Sequence, residues 1–253
     1  MIETIQQTGS RCISLRRSAD LSQGFFASGS AAKSPDDRQA AVLPDGPRAD
    51  SPHHALRNGE NIMSNIGTEN KVALFLADGF ETIEALTVAD ILYRAGIPCT
   101  KVSITGSTAV VSSHQVTVIA DTTIESLDLD DFDMLVLPGG VPGTPNLRAC
   151  APLMEQIASF HDNGRTIAAI CAAPSIFAEL GFLTGIRATC NPSVEESLIF
   201  GDAVLVREAV VKDGNIITSQ AMGTAIPFAL AIVEHYKGKE AADAIGKSIL
   251  YLK

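Results

Sequence analysis

The sequence predicts an α/β fold: a mostly parallel sheet with helices on both faces. Two observations carry this. From Lys71 onward, short apolar runs alternate with segments of helical periodicity. Several of these runs are apolar at every position, as in strands covered on both sides.

The elements follow in order. Val72 to Ala77 is an apolar run and reads as a buried strand, closed by the turn Asp78-Gly79. Ile83, Leu86, Thr87, Ile91 and Leu92 fall near helical spacing, and Gly96 closes that helix. Cys99 to Ile104 is the next strand, and Val116 to Ala120 a further one, placed at an edge. Asp133 to Leu137 is a strand running into Pro138-Gly139-Gly140. A helix is expected from about Asn146 to Asp162, ending near Asn163-Gly164. Thr166 to Ile170 is a strand leading to Cys171. Val204 to Val211 and Asn215 to Ser219 flank Lys212-Asp213-Gly214, whose Asp-Gly pair signals a hairpin. Two helices, about Gly223 to Tyr236 and Lys239 to Leu252, finish the chain. In such sheets the site lies outside the carboxyl ends of the strands. The loops after Leu76, Leu137 and Ile170 should therefore converge.

The chain has 253 residues, 46% of them hydrophobic, and a net charge of −10. That balance argues against nucleic acid and anionic membranes as main partners. No apolar run approaches the roughly 18 residues a membrane span needs. Residues 1–66 differ from 67–253. They carry seven acidic and seven basic side chains, so the net charge resides in the later part. Ser28 to Pro52 has almost no large apolar residue and no periodicity, so 1–66 reads as a disordered N-terminal extension. An Arg-containing transit peptide and a natural start at Met63 are both open alternatives for it. Cys12, Cys99, Cys150, Cys171 and Cys190 are odd in number and form no C-x-x-C pair. This suggests a reducing, cytoplasmic setting, with no disulfide framework and no metal site.

Chemistry is concentrated at three strand ends. Cys171 follows an apolar run and precedes Ala172-Ala173-Pro174. Small neighbours permit a tight strand-to-helix corner that presents a nucleophile. The following helix should favour the thiolate. The plainer reading is a buried cysteine packed as a small hydrophobe. Glu81 and Glu84 stand in the first turn of a helix, where acids complement the dipole. Glu84 is flanked by Ile83, Ala85 and Leu86. A carboxyl group pressed into apolar surroundings has a raised pKa and can both give and take a proton. Gly139-Gly140 leaves backbone N–H groups accessible for an oxyanion, or is simply a turn. No phosphate-binding loop or dinucleotide fingerprint occurs.

The segments Ala77-Asp78-Gly79-Phe80-Glu81-Thr82-Ile83-Glu84, Leu137-Pro138-Gly139-Gly140 and Ala169-Ile170-Cys171-Ala172-Ala173-Pro174 resemble the three signatures of the ThiJ/PfpI superfamily, in its DJ-one (Parkinson-associated deglycase) branch. The resemblance covers Lys71 to about Leu252. It implies a flavodoxin-like sandwich of the class I glutamine amidotransferase type, usually homodimeric. It implies a reactive Cys171 hydrogen-bonded to a protonated Glu84, with Gly140 and Ala172 N–H groups holding the oxyanion. Arg94 matches a family arginine near the dimer interface. His114 lies where some members carry an arginine from the partner subunit. Asn191 occupies a position that is histidine in many members, and can orient a substrate but not take a proton at neutral pH.

The function this resemblance implies is a cofactor-independent glyoxalase III or deglycase acting on 2-oxoaldehydes such as methylglyoxal. The rival from another class is an oxidative-stress sensor or chaperone using the same oxidisable cysteine.

Overall fold

The computed structural model describes residues 71–253, so the N-terminal segment lies outside the described residues. Eleven strands and six helices are assigned among them. The strands are β1 (Val72–Leu76), β2 (Cys99–Ser103), β3 (Ala109–Val111), β4 (Thr117–Ile119), β5 (Thr122–Thr123), β6 (Met134–Leu137), β7 (Thr166–Ile170), β8 (Arg187–Ala188), β9 (Val204–Leu205), β10 (Val210–Asp213) and β11 (Ile216–Ser219). The helices are α1 (Thr82–Arg94), α2 (Gly143–Ala149), α3 (Ala151–Asp162), α4 (Pro174–Glu179), α5 (Glu195–Phe200) and α6 (Ala225–Ser248). The main sheet has the order β10-β11-β7-β6-β1-β2-β5. Every neighbouring pair in it is parallel except β10 with β11.

Burial follows the two-residue period of the strands. Val72, Leu74 and Leu76 of β1 join a core with α1 and α6, while Ala73 and Phe75 join the opposite core with α3, α4 and α5. All five β1 residues are buried, which is why the strand reads as an unbroken apolar run. On α1 the buried face is Glu84, Ala85, Val88, Ile91 and Leu92, while Ile83 points to solvent.

Some expectations change. The strand near Val116 is not at an edge of the main sheet. Its core, β4, pairs with β3 in a separate antiparallel ribbon. The single helix expected over Asn146 to Asp162 is two, α2 and α3, broken at Cys150 with ψ 94°. Pro152 has no N–H to give and would clash with the carbonyl four residues back, so a continuous helix cannot pass. Val204 to Val211 is also divided. β9 pairs with β8, and the hairpin partner of β11 is β10. The two expected C-terminal helices are seen as the span α6, interrupted at Gly238 with φ +79°. Glycine adopts that conformation without steric cost.

The chain runs from β1 outward through β2 to β5, then returns to β6 on the other side of β1. The direction of winding thus reverses between β1 and β6. In an open parallel sheet that reversal opens a crevice at the carboxyl edge. The loops leaving β7, β6 and β1 stand there side by side.

Candidate active site

Gly139 follows β6, the middle of the three strands, and its neighbours on either side are Cys171 and Glu84. The Gly139 N–H donates to Glu84 Oε2 at 2.8 Å. A Cβ added to Gly139 would lie 2.6 Å from Cys171 Cβ and 2.8 Å from Glu84 Oε2. Only a residue without a side chain lets the acid and the thiol meet across this strand end. Gly140 has φ +104°, a conformation that favours glycine.

The loops are tied to one another by main-chain hydrogen bonds. Glu81 N–H donates to Gly139 O at 2.9 Å, and Gly143 N–H to Gly79 O at 3.1 Å. Asn146 Nδ2 donates to Asp78 O at 2.8 Å. The β3–β4 ribbon docks on the same loop, where Val111 N–H donates to Asp78 Oδ1 at 2.9 Å and Ser113 N–H to Phe80 O at 2.9 Å.

Cys171 sits at the corner between β7 and α4 with φ +67°. For a residue with a Cβ this left-handed conformation costs about 1–2 kcal/mol. Neighbours hold it there. Cys171 N–H donates to Ser219 O at 3.0 Å, and Cys171 O accepts from Asn191 N–H at 2.8 Å. The corner lifts the thiol toward Glu84, as a nucleophile elbow does.

Glu84 is buried, with 1% of its surface exposed. Burial raises its carboxyl from an ordinary value of 4.5 to about 7, against the opposing pull of the Cys171 side chain and the Gly139 and Met222 backbone. This matches the raised pKa expected from its apolar neighbours. The thiol differs from expectation. Burial, then the Glu84 charge, pushes Cys171 up to about 12, while the Ala172 and Gly140 N–H groups pull the other way. α4 has only six residues. Its dipole is correspondingly weak, and desolvation outweighs it. The two groups titrate as a pair. Above about pH 7 the pair holds one proton, shared between carboxyl and sulfur, and below it two. One proton on a pair of this kind is what a nucleophile and its own base require.

The structure thus brings together Cys171, Glu84, Gly139, Gly140 and Ala172. Asn191 adjoins them, but its side chain accepts from Ser193 N–H at 3.0 Å and caps a short turn. His114 stands at the rim, 71% of its side chain exposed, with Nδ1 3.0 Å from Ser113 Oγ and 3.5 Å from Glu81 Oε2. Arg94 is elsewhere: at the far end of α1, with Nε 2.7 Å from Asp90 Oδ2.

Sequence reasoning missed several contributors. The Met222 backbone reaches Glu84 and the Ser219 carbonyl holds Cys171, and main-chain groups carry no residue signature. Arg148, which no motif marked, reaches α4, with Nη2 donating to Ser175 Oγ at 2.9 Å. Among the described residues no group of three or more metal-ligating side chains is gathered, and no helix is long and apolar enough to cross a membrane.

Comparison with known proteins places this geometry. The sequence profile of the DJ-1/PfpI family matches residues 70–235. The chain is 38% identical over 177 residues to protein dj-1beta of Drosophila melanogaster, covering 70% of this chain and 95% of that protein. The crystal structure of that Drosophila protein superposes with a TM-score of 0.69, over 72% of this chain and 98% of the other. A DJ-1 homolog B of Arabidopsis thaliana is 38% identical over 68% of this chain, which spans only 39% of that longer protein. The glutathione-independent glyoxalase DJR-1.2 of Caenorhabditis elegans is 30% identical over 68% of this chain and 91% of its own length. With a flavodoxin-like sandwich, an acid and a thiol at its switch point, and these relatives, the chain belongs to the DJ-1/PfpI family.

Proposed function

We propose that the protein is a glutathione-independent glyoxalase, converting 2-oxoaldehydes such as methylglyoxal to 2-hydroxy acids. The observation that carries this is the Glu84 carboxyl, raised to about 7 beside the Cys171 thiol, with the Gly140 and Ala172 amides around the sulfur. The likeness to the nematode glyoxalase supports it.

The Cys171 sulfur adds to the aldehyde carbon, and its proton passes through Glu84 to the aldehyde oxygen, giving a hemithioacetal. Glu84 then takes the proton from that carbon and returns it to the adjacent carbonyl carbon, while the hemithioacetal hydroxyl proton passes to the adjacent oxygen through an enediol. The first carbon is oxidised and the second reduced within one molecule, leaving a thioester beside a hydroxyl. Water attacks the thioester, releases the acid and restores the thiol. Negative charge that develops on oxygen is met by the Gly140 and Ala172 N–H groups. No external electron carrier and no cofactor enter the balance. Deglycation of 2-oxoaldehyde adducts would use the same thiol. A homodimer with Arg94 near its interface belongs to the same reading.

The test is loss of methylglyoxal and formation of lactate by purified protein without glutathione. Wild type should turn over, and Cys171→Ser should not, because an alcohol ionises several units above the ~8.5 of a free thiol. Single changes of Cys99, Cys150 and Cys190 should leave turnover largely intact. Substantial activity in Cys171→Ser overturns the nucleophile assignment.

A further inference from the structure

We propose that Arg148 and Ser175 are positioning residues that hold the two amide donors around the Cys171 sulfur in register. This rests on the glyoxalase reading for its kinetic part only.

Arg148 stands in the last turn of α2, the helix that the Gly139-Gly140 loop leads into. Its Nη2 donates to Ser175 Oγ at 2.9 Å, and its Nε pairs with Glu179 Oε2 at 2.7 Å, both on α4. Ser175 Oγ in turn donates to the carbonyl of Ala172 at 2.7 Å, and Ser175 N–H reaches the same oxygen at 3.1 Å. Ser175 is 1% exposed. A guanidinium carries donors only, so the serine hydroxyl cannot turn its proton toward Arg148 and must give it to Ala172. An unbroken line of donors therefore runs from the helix behind Gly140 to the residue behind the second amide. Its first link is charge-assisted.

The local chain needs such support. Cys171 holds a left-handed conformation, and α4 is too short to fix its own first turn. Four fixings act on the corner: Ser219 O on the Cys171 N–H, Asn191 N–H on the Cys171 carbonyl, Ala173 N–H on the Ile170 carbonyl at 3.1 Å, and Ser175 on the Ala172 carbonyl. The last is the one linked through a side chain to α2. It holds the Ala172–Ala173 peptide, the plane next to the one that carries the Ala172 N–H, and so limits how far that N–H can turn relative to the Gly140 amide.

The experiment compares Arg148→Met, Ser175→Ala, their double variant, Ser175→Thr and Glu179→Gln with wild type. Two quantities are read: methylglyoxal kinetics, and the rate of Cys171 alkylation by iodoacetamide against pH. Arg148→Met and Ser175→Ala should each lower kcat about 10- to 100-fold with little change in KM, as a small misplacement of a catalytic group does. Both should move the alkylation midpoint to higher pH, because the Ala172 amide is less firmly aimed at the sulfur. The double variant should be no worse than Ser175→Ala, since the residues act in series. Ser175→Thr keeps the hydroxyl and should retain most activity. Glu179→Gln keeps an acceptor for Nε and should do the same. If Arg148→Met melts earlier but keeps wild-type kcat and midpoint, the pair is a structural ion bridge only and the proposal fails. Additive losses in the double variant also overturn it. If wild type turns over no 2-oxoaldehyde, the alkylation midpoint alone decides, so loss of the glyoxalase reading stays separate from loss of this one.

Discussion

The backbone N–H of Asn191 donates to the carbonyl oxygen of Cys171 at 2.8 Å. That carbonyl and the Ala172 N–H belong to one trans peptide plane, so they point in opposite directions. Holding the carbonyl on Asn191 aims the amide at the sulfur. Asn191 thus serves the site through its main chain.

It follows that the Asn191 side chain matters little to chemistry. Asn191→Ala should keep turnover within about threefold of wild type, a barrier change under ~1 kcal/mol. It removes the cap on Ser193 N–H, so stability should fall by about 1 kcal/mol, read as a lower melting temperature. A hundredfold loss of kcat would show instead that the amide touches substrate.

Turnover should depend on pH through the Glu84–Cys171 pair. With the carboxyl near 7, kcat/KM should rise as pH increases through about 7 and then level off. The Glu81 charge contributes to raising Glu84, so Glu81→Gln should move the midpoint to lower pH and leave the plateau nearly unchanged. Glu84→Gln should abolish turnover at every pH. A normal rate in Glu84→Gln would place the acid on another residue.

Stability should show the same group with the opposite slope. The folded-state pKa of Glu84 lies above its ordinary 4.5, so the folded protein binds the extra proton between about 4.5 and 7. This contribution is fully present below 4.5 and is lost as pH rises through 7. Glu84→Gln removes it. Going from pH 4.5 to 7.5, the variant should gain on wild type by on the order of 3 kcal/mol. Urea unfolding of both proteins across that range is the check, and parallel curves would show that Glu84 does not hold its proton.

Gly139→Ala tests whether acid and thiol must meet across the end of β6. The new methyl would press on Cys171 Cβ and Glu84 Oε2. Overpacking of this sort costs about 1–3 kcal/mol. The variant should stay folded by circular dichroism and melt earlier. Turnover should fall by about two orders of magnitude, as misplaced reacting groups do. Unchanged kinetics would mean that the loop yields and the pair survives.

Period and corner were legible in the sequence. β1, β6 and β7 stand where their apolar runs end, because a strand buried on both faces has no polar positions to blur it. The corner at Cys171 and the acid at Glu84 were legible for the same local reason, since small residues and a first helical turn are properties of neighbours in the chain. The helix break at Cys150 was written in Pro152, which a single helix over Asn146 to Asp162 left out of account. β4 was legible as a strand at Val116 to Ala120, but β3 and the pairing of the two in a separate ribbon were not. The ribbon's strands are short and half-exposed, and a strand pairs with whatever edge the fold leaves beside it.

What the sequence by itself determined was the list of parts: an α/β chain, a cysteine at a corner, an acid in apolar company and a glycine pair between them. Only the tertiary structure decided how they act on one another. Glu84 and Gly139 are 55 residues apart and meet because β1 and β6 are neighbours. Arg148 reaches Ser175 because α2 and α4 flank the same sheet face. The acidity of the thiol was decided there too. A helix end favours a thiolate locally, but desolvation and a facing carboxylate depend on what the rest of the chain packs around the sulfur, and here they win.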